Sequence, residues 1–550
     1  MSAPRIVGNS PADWWNHAVI YQIYPRSFAD GNGDGVGDIP GIISKLPDIA
    51  KLGVDAIWIS PFYTSPQKDA GYDVADFQDI DPLFGTLDDA QALIDTAHEL
   101  GLRIIVDLVP NHSSDQHEWF QQALACAPGS PERARYLFRE GAGSSGELPP
   151  NNWESVFGGP AWTRISEADG SPGQWYLHLF DSSQPDFDWN NPEVWDLFRG
   201  VLRFWLDRGV DGFRVDVAHG LIKADGLPDQ EIIKDPPVGA GGPFWNQEGV
   251  HEVYRDWRKI LESYGPDRML CAEAWVMPLA NMAHYVRPDE MHQAFNFGYL
   301  ATDFDAQALR AIIDESLEAF GGVGSPSTWV LSNHDVVRHA SRFGAEFVSG
   351  AHPTGIGPLS PHKPDTELGL KKARAATALM LALPGSAYLY QGEELGLPEA
   401  IDIPDADRQD PTFFRTHGER YGRDGCRVPL PWDSAEPANG FNSTGETWLP
   451  QPPEYAELAR AHQNGVEGST LELYRSLLAV RAEENLGKGA VAWLEEYPDA
   501  VIAFDNGTIT VVSNTGSQPV DLPAGEVVVA SQPVESGVLP GYATAWVRTS

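Results

Sequence analysis

The 550-residue chain carries 78 Asp and Glu against 38 Lys and Arg, a net charge of −40 with His neutral. That excess repels phosphate backbones and anionic lipid surfaces, which need clustered Lys and Arg, so nucleic-acid and membrane partners are excluded and neutral substrates fit better. An apolar share of 42% with 18 Trp excludes a disordered chain, and three Cys (Cys126, Cys271, Cys426) without CxxC spacing exclude a disulfide framework and structural zinc.

The N-terminal MSAPRIVGNSPADWWNH lacks a basic flank leading into an apolar run, so no secretory signal is read there. The longest apolar stretch, from Ala375 to Leu383, is too short to span a bilayer. A cytoplasmic protein is the expectation. Short β-branched or aromatic runs, each followed by turn residues and a helical pattern, begin near Ala18, Val54, Arg103, Val210, Met269, Gln293, Thr328 and Ser386. Eight βα units in this order predict a (β/α)8 TIM barrel, with an open doubly wound sheet as the alternative that periodicity does not exclude. Asn191 as a cap, Pro192 at the first helical position and Trp195, Phe198, Leu202, Trp205 and Leu206 at helical spacing mark the helix before the fourth strand's unit.

Between the third and fourth strands, residues 113–188 are rich in Gly, Pro, Ser and Trp and read as an irregular domain inserted in a loop. After the eighth strand, residues 396–468 form a Pro-, Gly- and Asn-rich excursion, and Leu471, Tyr474, Leu477, Leu478 and Arg481 mark a last helix. From 487 to 550, the segments VIAFDN, ITVVSN and EVVVAS alternate around turns and predict a small antiparallel β domain.

In such a barrel, reactive side chains belong at the C-terminal ends of the strands. Asp107, Asn111 and His112 end the third strand, Arg214 and Asp216 the fourth, Glu273 the fifth, and His334 and Asp335 the seventh. Any one acidic group there could simply cap a helix, but Asp216, Glu273 and Asp335 on three strands can face one pocket, with Arg214 holding one of them ionised. Two carboxyls on one pocket are what glycoside hydrolysis needs, one to attack or activate water and one to protonate the leaving oxygen. Aromatic candidates for sugar stacking, such as Trp58, Trp275 and Phe157, read equally well as core. In DGNGDGVGD, Asp30, Asn32, Asp34 and Asp38 alternate around Gly35 with the spacing of oxygen ligands to Ca²⁺. The loop departs from an EF-hand at its twelfth position, Gly41.

The ordered motifs DLVPNH, GFRVDV, EAW and SNHD, with GVDAIWISP and KDAGYDV upstream and QPDFDW before the fourth strand, resemble the α-amylase superfamily. The likeness is to glycoside hydrolase family 13, in its α-glucosidase and oligo-1,6-glucosidase branch, and it runs over nearly the whole chain. It implies a barrel from 1–112 and 189–486, a B domain over 113–188 and a C-terminal β-sandwich over 487–550. It makes Asp216 the nucleophile, Glu273 the acid/base and Asp335 the residue that binds and distorts the first sugar, with the two reacting carboxyls about 5 Å apart. It further assigns Arg214 to keeping Asp216 ionised, His112 and His334 to sugar hydroxyls, Asp69 and Tyr72 to the pocket floor and the terminal glucose, and Arg427 to the same sugar. Asp30, Asn32, Asp34, Asp38 and the Val36 carbonyl become a structural Ca²⁺ or Mg²⁺ site, and no organic cofactor is implied.

Val217, after the nucleophile, is the residue type the family associates with tolerance of α-1,6 bonds, so hydrolysis of both α-1,4 and α-1,6 linkages is expected. Two departures, Phe187 and Asp188 in QPDFDW and RVPLPW in place of RTPMQW, bear on subfamily. The expected activity is a retaining exo-α-glucosidase on maltose, isomaltose and short malto- or isomalto-oligosaccharides, with sucrose as a further candidate. The alternatives are a transglucosylase, a trehalose- or sucrose-converting isomerase, and a non-catalytic relative. The oligomeric state is open.

Overall fold

The eight barrel strands are β1 (Val19–Ile23), β2 (Ala56–Ile59), β3 (Arg103–Leu108), β4 (Gly212–Val215), β5 (Met269–Ala272), β6 (Gln293–Ala294), β7 (Thr328–Val330) and β8 (Ser386–Tyr390). The computed structural model describes residues 12–549 apart from 168, 232–238, 240, 346–354 and 362. All neighbouring pairs are parallel, in the order β6-β5-β4-β3-β2-β1-β8-β7. A parallel bridge from Phe295 to Thr328, with the Asn296 N–H donating to the Thr328 carbonyl at 3.0 Å, joins β6 to β7 and closes the sheet. The alternative of an open doubly wound sheet is thereby removed.

Every residue of β1 to β5 is buried, so these strands are covered on both faces, as parallel strands must be, and mostly apolar, with Gln22, Arg103, Asp107 and Arg214 as their buried polar members. Ile20, Trp58, Ile105, Cys271 and Tyr388 fill the lumen, while Tyr21, Ile57, Ile104 and Val106 pack outward against the helices. Strand β6 is only two residues long because Asn296 stops it: its side chain accepts from Tyr299 N–H and caps a short helix, Phe297–Leu300.

Helix α1 (Pro192–Asp207) starts where the sequence places it, with the Asn191 side chain accepting from Glu193 N–H and Pro192 in the first turn. Val194 and Val201 join Phe198, Leu202, Trp205 and Leu206 on its buried face, and Trp195 lies at the edge. Helix α2 (Thr366–Ala382) explains the apolar stretch from Ala375: it is covered by the barrel on one side and by the C-terminal sheet on the other. Trp546 Nε1 donates to the Ala378 carbonyl at 3.0 Å and Thr544 Oγ1 to the Ala375 carbonyl at 2.8 Å, so from Ala375 onward the helix has no solvent-facing side, while its first half keeps the Glu367 and Lys371 side chains exposed. No described helix is long and apolar enough to cross a membrane.

The segment 113–188 is more regular than its composition suggests. It holds a helix, Glu118–Ala125, and a three-stranded antiparallel sheet of Phe138–Arg139, Pro172–Leu177 and Trp162–Ser166, in that order. A small core of Leu137, Trp153, Trp162, Leu177 and Leu179, shared with Phe244 from the loop after β4, accounts for this, and the Gly- and Ser-rich composition belongs to the connections. The C-terminal region forms a five-stranded antiparallel sheet built from Ala492–Trp493, Val501–Asn506, Ile509–Asn514, Ala543–Arg548 and Glu526–Ala530, with a separate two-stranded ribbon, Val520–Asp521 with Val538–Leu539.

Candidate active site

The ends of β3, β4 and β5 place Asp107, Asp216 and Glu273 around one guanidinium. Arg214 Nη1 donates to Asp216 Oδ1 at 2.6 Å and to Asp107 Oδ1 at 2.9 Å, and Arg214 Nη2 lies 3.5 Å from Glu273 Oε2. All four are buried, Arg214 at 1% exposure and Glu273 at 8%. Burial pushes both Asp216 and Glu273 above the ordinary carboxylate range; Arg214 opposes this in each, while Glu273 and Asp107 add repulsion at Asp216. Asp107 is likewise raised by burial, to about 6, despite Arg214 and hydrogen bonds from Tyr72 and Trp58.

The backbone after Asp216 is bent to serve this cluster. Val217, a β-branched residue, sits in the left-handed region at φ 46° and donates its N–H to Glu273 Oε2 at 2.7 Å. Such a conformation costs about 1–3 kcal/mol and persists only when the surroundings impose it. Here the Ala218 N–H also bonds the Glu273 carbonyl at 2.8 Å, which ties the two strand ends together.

On the opposite side, Asp335 follows β7 and lies among cations. Arg427 Nη2 donates to Asp335 Oδ1 at 3.0 Å, and Arg423 Nη1 to the same oxygen at 3.1 Å. Arg423 Nη2 also donates to Asp69 Oδ1 at 2.7 Å, and its Nε bonds the buried Asp410. Burial opposes the charge on Asp335, but His334, Arg423 and Arg427 together hold it well below the usual carboxylate range. Asp69 is raised by burial, with Arg423 and Arg427 opposing. His334 Nδ1 lies 2.7 Å from Gln22 Nε2, a donor, so its proton sits on Nε2, 3.1 Å from Asp335 Oδ2. Burial keeps this imidazole neutral, its proton affinity far below that of free histidine.

The remaining expected residues hold up the walls. Tyr72 stacks on His334 with ring centroids 5.2 Å apart and directs its hydroxyl to Asp107 Oδ2 at 3.2 Å. His112 finds protein partners for both ring nitrogens, Tyr72 O at 3.1 Å and Asn111 Nδ2 at 3.1 Å, and burial lowers it to about 4. Arg427 Nε donates to the His334 carbonyl at 2.8 Å. Sequence reasoning placed Asp107 at the end of the third strand without giving it a role, and it missed three members: Gln184, Asp410 and Arg423. Gln184 opens the QPDFDW motif, a segment already singled out, and donates to Asp69 Oδ2 at 3.0 Å, while Arg423 stands four residues before Arg427, just outside RVPLPW. The departures in QPDFDW point elsewhere: Phe187 stacks on Tyr136 at 4.9 Å, and Asp188 accepts from Asn190 N–H at 3.1 Å.

In the Asp30 loop, Asn32 N–H lies 3.1 Å from both Asp30 Oδ1 and Asp38 Oδ2, so the two buried carboxylates face each other. Neither makes an ion pair with Lys or Arg among the described residues, and burial together with Asp30 raises Asp38 against its backbone donors. Asp38 also caps the following helix through Gly41 N–H, and the Asn32 and Asp34 side chains accept from Asp34 N–H and Val36 N–H. No group of three His, Cys, Asp or Glu converges among the described residues. Two buried carboxylates that N–H donors satisfy but no Lys or Arg pairs, with an amide and a backbone carbonyl beside them, are oxygen donors of the kind that suits a hard divalent cation.

The catalytic domain of α-amylase matches residues 22–489. The chain belongs to the α-amylase family. A probable α-glucosidase of Rhizobium meliloti (strain 1021) is 39% identical over 505 residues, covering 88% of this chain and 85% of that protein. An oligo-1,6-glucosidase of Parageobacillus thermoglucosidasius is 34% identical over 507 residues, covering 86% and 84%. Among solved structures, the α-glucosyl transfer enzyme XgtA superposes with a TM-score of 0.83 at 37% identity, over 98% of this chain and all (100%) of that one. The trehalulose synthase MutB of Pseudomonas mesoacidophila gives 0.84 at 30% identity, over 98% and 100%. The protein is thus an enzyme of the glycoside hydrolase class, and the family's β-strand ends are where its buried carboxylates gather.

Proposed function

We propose that this family member is a retaining, exo-acting α-glucosidase that releases α-glucose from short α-1,4- and α-1,6-linked glucosides such as maltose and isomaltose. The observation that carries the reading is the unequal sharing of Arg214, 2.6 Å from Asp216 and 3.5 Å from Glu273. Because the cation lies nearer Asp216, the proton that burial retains in the pair resides on Glu273, leaving Asp216 as the anion. Asp216 attacks the anomeric carbon as the glycosidic C–O bond breaks, and Glu273 passes its proton to the departing oxygen. In the second step Glu273, now ionised, takes a proton from water while the water oxygen displaces Asp216 from the same carbon. Two inversions return the α configuration.

Asp335, kept ionised by its two arginines, binds hydroxyls of the first sugar, and the Asp69–Arg423 pair closes that subsite beyond it. This closure supports exo action on chain ends. The related α-glucosyl transfer enzyme and trehalulose synthase support a second reading, in which another sugar takes the place of water. A Ca²⁺ or Mg²⁺ ion held by Asp30, Asn32, Asp34, Asp38 and the Val36 carbonyl would neutralise the loop's buried carboxylates and support the fold there. Three unpaired cysteines support a reducing, cytoplasmic location.

Proton NMR of the anomeric region during action on equimolar maltose and isomaltose tests the reading. Early α-glucose from both sugars is expected. New disaccharide signals with little free glucose would replace hydrolysis by transfer, and early β-glucose would refute retention.

A further inference from the structure

Trp275 lies two residues beyond Glu273, past the end of β5, where its neighbours Cys271 and Phe297 belong to the lumen core. Packing alone would account for a large apolar side chain there, but not for its polar contact. The indole Nε1–H donates to Glu273 Oε1 at 3.0 Å, and the ring lies flat on Phe297, centroids 3.9 Å apart and planes 7° from parallel. The other Glu273 oxygen, Oε2, accepts the Val217 N–H at 2.7 Å. Each carboxyl oxygen is therefore held by a neutral N–H donor, one from the strained backbone after Asp216 and one from an indole whose plane Phe297 fixes.

We propose that Trp275 is a positioning residue for the acid/base: its N–H, oriented by the stack on Phe297, fixes the plane of the Glu273 carboxyl and sets how readily it gives up its proton. The proposal rests on the reading of Glu273 as acid/base. An N–H donor bonds an ionised carboxylate more strongly than a protonated one, so this contact favours release of the proton to the leaving oxygen. The other groups facing Glu273 among the described residues are Arg214, with Asp216 and Asp107 on the same guanidinium, Asp335 from β7, the Cys271 thiol on its own strand, and His219 on the loop after Asp216. All of these groups are retained when the indole is changed to a benzyl ring.

Trp275→Phe keeps an aromatic face on Phe297 and removes the donor. The alkaline limb of the pH profile of kcat/KM on maltose reports loss of the acid's proton, so deleting a donor to the ionised form moves that limb upward, by about 1 pH unit. A limb that stays in place, whatever the loss of rate, would overturn the proposal and leave Trp275 as packing. Should Trp275→Phe fail to fold, Phe297→Leu frees the indole plane and is expected to move the limb in the same direction by a smaller amount; an unmoved limb there is the same refutation. Glu273→Gln separates the two layers of the argument. If it abolishes the alkaline limb while Trp275→Phe leaves the wild-type limb unmoved, the acid/base reading stands and the positioning role falls. If Glu273→Gln retains the limb, the acid/base reading falls with it.

Discussion

The two halves of the site differ in how their charges are balanced. On one side three buried carboxylates, Asp107, Asp216 and Glu273, share the single guanidinium of Arg214, and all three are pushed above the usual carboxylate range by burial. On the other, Asp69, Asp335 and Asp410 share two guanidiniums, Arg423 and Arg427; burial opposes their charge, yet Asp335 and Asp410 are held below that range, and only Asp69 remains above it. A cation deficit leaves a proton to be moved, whereas a near balance fixes negative charge for binding. Proton chemistry and sugar binding are thus divided between the two sides by the count of arginines.

The division can be broken most severely at Arg423. Arg423→Lys supplies one ammonium where a fork now reaches Asp69, Asp335 and Asp410, and kcat/KM on maltose is expected to fall about 10²-fold or more with the fold intact. A loss below threefold would mean that the two-cation side is not a binding element.

Stability offers a sharper contrast, because the two sides carry opposite signs. Asp335 has a depressed folded pKa, so its contribution is present above the unfolded value near 4 and disappears as pH falls; Asp335→Asn should lower Tm at pH 7. Asp216 has a raised folded pKa, so its contribution is present below the unfolded value and is lost as pH rises through the folded one. At pH 7 its burial therefore costs stability, and Asp216→Asn should raise Tm, by about 1–3 °C, with the gain vanishing near pH 4. Thermal unfolding of both variants at the two pH values checks this, and shifts of the same sign at pH 7 would refute the division.

The smallest effect lies outside both halves. Chelation is expected to lower Tm by a few degrees while the rate of the folded enzyme stays within about twofold, because an ion bound only to the native loop stabilises it by mass action. A large loss of rate at unchanged Tm would assign the ion to the chemistry instead.

The halves also differed in how far the sequence revealed them. Asp216 and Glu273 directly follow regular parallel strands and Arg214 is the last residue but one of β4, so the short β-forming runs mark their positions. Asp335 was found by the same rule after β7. Its partners were harder to find, because Arg423 and Asp410 belong to the excursion over 396–468, whose short turns carry no periodicity to place a side chain. Arg427 was singled out and Arg423 was not, although one helical turn separates them and Arg423 alone spans Asp69 and Asp335. The helix and sheet in 113–188 were hidden by the Gly- and Ser-rich connections around short strands. Barrel closure rests on the contact of β6 with β7, two of the shortest strands, and a long-range pairing of that kind leaves no mark in local pattern.

The central claim is that Asp216 is the anion that attacks carbon. Intact-protein and peptide mass spectrometry after brief exposure to 5-fluoro-α-D-glucosyl fluoride, whose ring fluorine slows breakdown of a glucosyl ester, tests it directly. The account predicts one added fluoroglucosyl group on the peptide carrying Asp216 and no adduct in Asp216→Ala, which should also lose at least about 10⁴-fold in rate. An adduct on Glu273 or Asp335, or full turnover by Asp216→Ala, would contradict it.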